Sequence, residues 1–386
     1  MLKKVFRLIL VCLCLTLNVN ECNAQWLKDR DGFLKVGLFH KKPHGLPSDV
    51  YAQKMSEALR EVVQQLPRER KRIEFSLNLF IAHEAWIQAT PQDALLKAVD
   101  AFKEAGADRV DINPGLTGWL DNDQRIVAKY DAAVERIRKY GMKLVLNPQY
   151  SPIKHKMSSF SEWQDKAMKL YTELARRYQP DIFVVSHEPS TMSARLGKKV
   201  TISDWVSFVR QAAKAVKQQS PKTRIGAGGL ASEEDYFYSF VALPEVEVLT
   251  LDIYNLKDLK TYNKMIYAAR ERGKPVYIEE TWRSPYFQPK PGMTADKASM
   301  QNIGNKEFEV LDSQWIRTMT AYAQAQGLEA ITPIWMFTFF KYVDGQGNVD
   351  DPSYNRAMIE AIMKDERTST FQTIQELVKE NQRLPH

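Results

Sequence analysis

Two glutamates, Glu188 and Glu280, close two short apolar segments, DIFVVSHEPS (Asp181 to Ser190) and KPVYIEETW (Lys274 to Trp282). A carboxyl group at the tip of a buried strand is costly unless it is paired or put to use. Two such groups facing each other across a gap can break a glycosidic bond. One carboxylic acid protonates the leaving oxygen, and the other carboxylate attacks the sugar or activates water. Glu279 complicates the assignment. Side chains alternate along a regular strand, so Glu279 and Glu280 are not expected to point the same way, and Val276, Ile278 and Glu280 share one face.

The elements that must carry these groups alternate along the chain. Ile73 to Phe80, Arg109 to Ile112, Lys143 to Leu146, Asp181 to Ser186, Arg224 to Gly228, Val246 to Tyr254, Val276 to Glu280 and Ala330 to Phe340 read as eight apolar strands. Helical spacing lies between several of them. One helix opens at Thr90-Pro91, carries Leu95, Val99 and Phe102, and ends at Gly106. Others carry Ile126, Tyr130, Val134 and Ile137, then Trp163, Ala167, Leu170, Leu174 and Tyr178, then Trp205, Val209, Ala212 and Val216. Eight strands with intervening helices predict an α/β fold, a (β/α)8 TIM barrel over residues 73–386 that ends in an additional C-terminal helix. An open doubly wound sheet is the competing arrangement, but no Gly-rich phosphate loop appears. Residues 25–72, including a helix from Ser48 to Leu66, are expected to form an N-terminal extension packed on the barrel.

Residues 1–24 have the order of a secretory signal peptide. Lys3, Lys4 and Arg7 come first, Leu8 to Leu17 form a short apolar run, and Asn23-Ala24 precede the expected cut. The expectation is export, to a periplasm or the exterior, with no stable membrane insertion after cleavage. All 3 cysteines (Cys12, Cys14 and Cys22) fall in this segment, so disulfides and thiol chemistry are excluded from the mature chain. The net charge of +7 is scattered along helical segments, with no basic run and no nucleic-acid module.

In a (β/α)8 enzyme the site forms at the C-terminal ends of the strands. The sequence puts Asn78 there on the first strand, with His83, Glu84 and Trp86 in its loop, and Asp111 and Asn113 on the second. Asn147, Gln149 and Tyr150 follow the third, His187 and Glu188 end the fourth, and Asp252, Tyr254 and Asn255 end the sixth. Glu279, Glu280 and Trp282 end the seventh, and Trp335 and Phe337 lie on the eighth. Carboxylates, amides and flat aromatics together suit sugars, with polar groups for hydroxyls and ring faces for C–H bonds.

His187-Glu188-Pro189 and Lys274-Pro275-Val276-Tyr277-Ile278-Glu279-Glu280 resemble the strand-four and strand-seven motifs of the clan A glycoside hydrolases. Glu280-Thr281-Trp282 is similar to the ending of that strand in the endo-galactanase family. The resemblance covers roughly residues 73–363. It implies a retaining β-glycosidase acting on a polysaccharide or oligosaccharide, with Glu188 as acid/base and Glu280, rather than Glu279, as nucleophile. It further implies Tyr254 as the residue that steadies Glu280, and Trp335 as a floor for the sugar. Asn78, Trp86, Asp111, Asn147, His187 and Trp282 complete the expected substrate-binding set. No cofactor is expected. The chain departs from the family pattern at His187, where an asparagine usually binds the sugar 2-hydroxyl. An imidazole also donates a hydrogen bond, but with a different reach and a possible charge. That departure leaves a catalytically inactive carbohydrate-binding barrel as the alternative. A metal-dependent hydrolase using His83, His187 and Asp111 is less favoured, because no His-x-His pair ends the first strand.

Overall fold

The computed structural model describes residues 48–79, 87, 89–115, 118–119, 121–149, 157–283, 303–344 and 352–385. The signal segment, the first part of the extension, His83, Glu84, Trp86, Tyr150 and most of the connection after the seventh strand lie outside the described residues.

Eight parallel strands close into a barrel in chain order: β1 (Glu74–Leu79), β2 (Arg109–Ile112), β3 (Lys143–Leu146), β4 (Ile182–His187), β5 (Arg224–Gly229), β6 (Val248–Ile253), β7 (Val276–Thr281) and β8 (Ala330–Pro333). The helices described are α1 (Ser48–Gln65), α2 (Gln92–Ala105), α3 (Gln124–Lys139), α4 (Phe160–Tyr178), α5 (Pro189–Leu196), α6 (Ile202–Gln219), α7 (Glu234–Val241), α8 (Leu259–Glu271), α9 (Glu309–Ala325), α10 (Phe337–Phe340), α11 (Pro352–Met363) and α12 (Ser369–Asn381). This is the (β/α)8 fold expected from the alternation.

Local chemistry accounts for several boundaries. Gly106, at φ 82°, ends α2 with its N–H bonded to the helix's last carbonyls. Thr201 and Asp204 form a reciprocal cap at the start of α6. At the N-terminal face of the barrel, an acid ahead of one strand caps the strand before it. Asp108 accepts from Phe75 N at 2.9 Å, Asp181 from Leu144 N at 2.8 Å, and Glu247 from Ile225 N at 3.0 Å.

The eighth strand is shorter than its apolar run predicts. Trp335 takes a left-handed backbone at φ 64°, which a strand cannot absorb, and its carbonyl accepts from Thr338 N and Oγ1. The apolar residues that follow form the short helix α10. Helix α5 starts directly after Glu188, with Pro189 in its first turn.

Inside the barrel Val145, Ile182, Val184, Val248, Tyr277 and Ala330 form a small apolar cluster, separate from the larger core between strands and helices. Arg109 lies against the Tyr277 ring at 5.5 Å and is held by Glu74 and Glu329. Helix α1 packs beside α9, with Ser56 Oγ donating to Gln314 Oε1 at 2.6 Å and Tyr51 edge-on to Phe308 at 6.0 Å. Helix α12 is tied to the entry of β1, where Asn381 pairs with both backbone groups of Ile73 at 3.1 and 2.7 Å.

Candidate active site

Two register shifts set the site. Along β4 and β5, Val184 pairs with Gly226 but Ser186 with Ala227, so β4 carries one extra residue at Val185. Along β6 and β7, Leu251 pairs with Ile278 but Asp252 with Glu280, so Glu279 is the extra residue of β7. A bulge re-aims the side chains that follow it. On β4 it turns His187 into the barrel. On β7 it changes the expected facing. Tyr277 belongs to the barrel interior and Val276 and Ile278 to the outer core, so Val276, Ile278 and Glu280 do not share a face. Strict alternation would send Glu280 outward too. The bulge instead brings Glu279 and Glu280 both to the inside, which overturns the expectation that only one of them could point there.

Glu188 ends β4 in a left-handed conformation, φ 44° and ψ 67°, which costs a non-glycine residue about 1–2 kcal/mol. Several contacts hold it there. Met192 N donates to the Glu188 carbonyl at 3.0 Å. Glu233, buried at the start of α7, accepts from Ser190 N at 2.5 Å, from Ser190 Oγ, and from Leu230 N at 3.0 Å. Gly229, at φ 155°, sits so close to Glu188 and Glu233 that a Cβ there would collide with the Glu233 carboxylate. Glu233 is a site residue that sequence reading missed. Its only local signal is an acid three residues after Leu230, at the start of a helix.

The structure brings Glu188, Glu280, His187 and Tyr254 together. One carboxylate oxygen each of Glu188 and Glu280 and a ring nitrogen of His187 lie within 4.8 Å of one another. His187 Nε2 is 3.5 Å from Glu280 Oε1, and Tyr254 Oη donates to Glu280 Oε2. Glu188, His187 and Tyr254 are partly exposed, while Glu280 is 5 % exposed, so the group opens toward the mouth. A cavity beside Glu188 is lined by Gln149, His187, Thr191, Met192 and Arg195.

Electrostatics follow from crowding. Burial raises Glu280, and Glu188 and Glu279 add to it against the pull of His187 and Tyr254, so that it is pushed up to about 7. Burial works against the His187 cation, but Asp252, Glu279 and Glu280 outweigh it and lift the imidazole well above its ordinary value. Burial and neighbouring carboxylates push Asp111 and Asp252 well above the usual carboxylate range.

The remaining expected residues are placed as follows. Asn78 is 1 % exposed and donates to Asn113 Oδ1 at 2.8 Å, and Asn113 donates to the Asn147 carbonyl at 3.3 Å. Asp111 and Asn147 are equally buried, with no hydrogen bond to either side-chain terminus among the described residues. Trp282 is 1 % exposed and Trp335 is 7 % exposed, the latter stacked beside Phe337 at 6.4 Å. Trp163 and Trp205 are core residues, 5.3 Å apart, as their helical spacing indicated. Trp119 packs on Tyr130 and Tyr178.

The chain following Glu280 is well anchored. Thr281 Oγ1 donates to Ile253 O at 2.8 Å and accepts from Trp315 Nε1 at 3.0 Å. Buried Arg283 pairs with Asp312, which also accepts from Tyr342 Oη at 2.9 Å. Burial, opposed by Arg283, leaves Asp312 at about 6.

No protein-family model and no curated protein sequence matches this chain. Solved structures do match its fold. GH5_18 from Streptomyces cattleya, in complex with GlcNAc, superposes with a TM-score of 0.53 at 13% identity, over 82% of this chain and 83% of that one. The exo-β-1,4-mannosidase from Opitutaceae bacterium strain TAV5 gives 0.54 at 13% identity, over 83% and 62%. The family 1 β-glucosidase from Thermotoga maritima gives 0.52 at 10% identity, over 75% and 87%. The protein therefore shares the barrel fold of these glycoside hydrolases.

Proposed function

We propose that the protein is an exported β-glycosidase that hydrolyses a polysaccharide or oligosaccharide with retention of configuration. The observation that carries this is that Glu188 and Glu280, at the ends of β4 and β7, bring one carboxylate oxygen each to within 4.8 Å of the other. Retaining enzymes hold their carboxyl groups about 5–5.5 Å apart, whereas inverting ones need about 6.5–9.5 Å to fit a water between them. The structural neighbours act in support: one is a mannosidase, another a glucosidase, and a third holds a sugar. Export rests on the amino-terminal pattern of Lys3 to Ala24.

In this reading ionised Glu280 attacks the anomeric carbon as protonated Glu188 gives its proton to the departing glycosidic oxygen. The product is a glycosyl ester on Glu280 and a free alcohol. Glu188, now ionised, takes a proton from water as that water attacks the same carbon. The sugar leaves with its original configuration, Glu280 regains its charge, and Glu188 regains its proton. Tyr254 fixes one oxygen of Glu280 and leaves the other available for attack. His187 faces that second oxygen, with Nε2 3.5 Å away.

The test is separate replacement of Glu188 and Glu280 by Gln, assayed on a panel of aryl β-glycosides and glycans. Each variant should lose at least about 10³-fold in kcat, with the wild-type product appearing first as the β-anomer by NMR. Full activity in either variant removes that residue from the mechanism. Glycan binding without turnover by the wild type replaces the enzyme by a binding barrel.

A further inference from the structure

Behind the imidazole of His187, on the side away from Glu280, lies a second group of acids. His187 Nδ1 is 3.4 Å from Glu279 Oε2 and 3.6 Å from Asp252 Oδ2. These three atoms all lie within 4.8 Å of one another. Asp252 is fully buried, as is Asp111, and Glu279 is 1 % exposed. Among the described residues, both oxygens of Asp252, both of Asp111 and Oε1 of Glu279 have no hydrogen-bond partner. Buried carboxylates without donors are rare, because the charged form has lost its water and gained nothing in return. Arg109, a cation among those acting on Asp111, is already engaged by Glu74 and Glu329.

The spacing is informative. A good N–H···O bond is about 2.9 Å long, and one ring nitrogen carries one proton, so Nδ1 cannot satisfy both carboxylates. Donor atoms bound to one ion at about 2.1 Å in tetrahedral geometry lie about 3.4 Å from each other. At 3.4 Å the contact with Glu279 Oε2 is a long hydrogen bond and at 3.6 Å that with Asp252 Oδ2 is beyond one, while both lie close to the separation expected around a shared ion.

We propose that His187 Nδ1, Asp252 and Glu279 hold a divalent cation, Zn²⁺ or Mn²⁺, beneath the carboxylate pair. One imidazole nitrogen and two carboxylates suit these ions better than Mg²⁺ or Ca²⁺, which take oxygen ligands. Binding through Nδ1 leaves the proton on Nε2, 3.5 Å from Glu280 Oε1. A metal-bound imidazole commonly donates its second N–H to a carboxylate, and this fixes the ring's tautomer and orientation. The ion would thus make His187 a neutral donor toward Glu280. The β7 bulge is what makes the site possible, since Glu279 is the residue it adds to the interior. The inference does not depend on the glycosidase reading, because these ligands would bind the ion whether or not a sugar is cleaved.

The experiment measures ion binding alone. The protein is stripped with EDTA and dialysed into metal-free buffer at neutral pH. Zn²⁺ is then titrated by calorimetry, and Mn²⁺ by electron paramagnetic resonance. One ion per chain is expected, at micromolar Kd or tighter, with a rise in melting temperature. Glu279→Gln and Asp252→Asn should each weaken binding at least about 10–100-fold, and Glu376→Gln, at an exposed ion pair on α12, should leave it unchanged. No binding by the wild type at millimolar ion overturns the proposal. So does undiminished binding by a folded Glu279→Gln or Asp252→Asn protein. If neither variant folds, the ¹⁵N resonances of His187 decide: Zn²⁺ must shift Nδ1 and leave Nε2 protonated, and an unmoved spectrum refutes the site.

Discussion

Glu233 accepts both the backbone N–H of Ser190, at 2.5 Å, and its hydroxyl, and so grips the chain two residues past Glu188. The same carboxylate takes the N–H of Leu230 at 3.0 Å. A left-handed glutamate at the end of a strand relaxes unless its neighbours hold it, and Glu233 is the principal clamp.

Glu233→Gln should therefore behave as a positioning variant. The amide keeps one acceptor oxygen and turns an NH₂ toward donors. Hydrogen bonds to charged groups contribute about 1.5–3 kcal/mol each. We expect kcat to fall about tenfold or more with KM nearly unchanged, and melting to drop by a few degrees. Steady-state kinetics and calorimetry check this. A fall in stability with kcat intact would make Glu233 a purely structural cap.

Tyr254→Phe removes one hydrogen bond to Glu280 and no packing volume of consequence. With that bond in the same range of about 1.5–3 kcal/mol, kcat should drop roughly 10–100-fold while the melting temperature stays within a degree or two. Glu280→Gln activity is expected to be insensitive to the same change at Tyr254, because the phenol acts through the carboxylate. Independent, multiplicative losses in the double variant would contradict that link.

Much of this arrangement was legible in the residues. Short apolar runs separated by helical periodicity marked the strands, and Glu188, Tyr254 and Glu280 stood at strand ends where side chains converge. The bulges at Val185 and Glu279 were not legible, because they arise from the stagger between neighbouring strands and have no local signature. Periodicity along β7 therefore pointed to the wrong inner face. The end of β8 was hidden for a related reason: Trp335, Phe337, Phe339 and Phe340 suit a strand by composition, and only the left-handed turn at Trp335 starts a helix instead. Glu233 was invisible because its partner Ser190 lies in α5, far away along the chain.

At the opposite end of the barrel, Glu329 bonds Arg224 at 2.8 Å through each oxygen, and one of them also meets Arg109. Burial pushes Glu329 up, but Arg224 and Arg109 outweigh it and hold it at about 2. Its folded value lies below its unfolded one, so the stabilisation is complete above about pH 4.5 and is lost as pH falls toward about 2. Glu329→Gln should cost up to about 3 kcal/mol at pH 7. The gap between wild type and variant should narrow steadily below about pH 4.5. Urea midpoints at pH 7, 4 and 3 measure it, and a gap independent of pH would show that the ion pairs contribute nothing.

The extra residue in β7 has a wider meaning for how such barrels acquire new chemistry. The position left over by the register shift carries an additional acid to the interior, while Val276 and Ile278 stay packed in the outer core. Related barrels are then best compared by counting residues between the last outward-facing apolar position and the terminal acid, because a difference of one there alters the inventory of the interior more than many substitutions would.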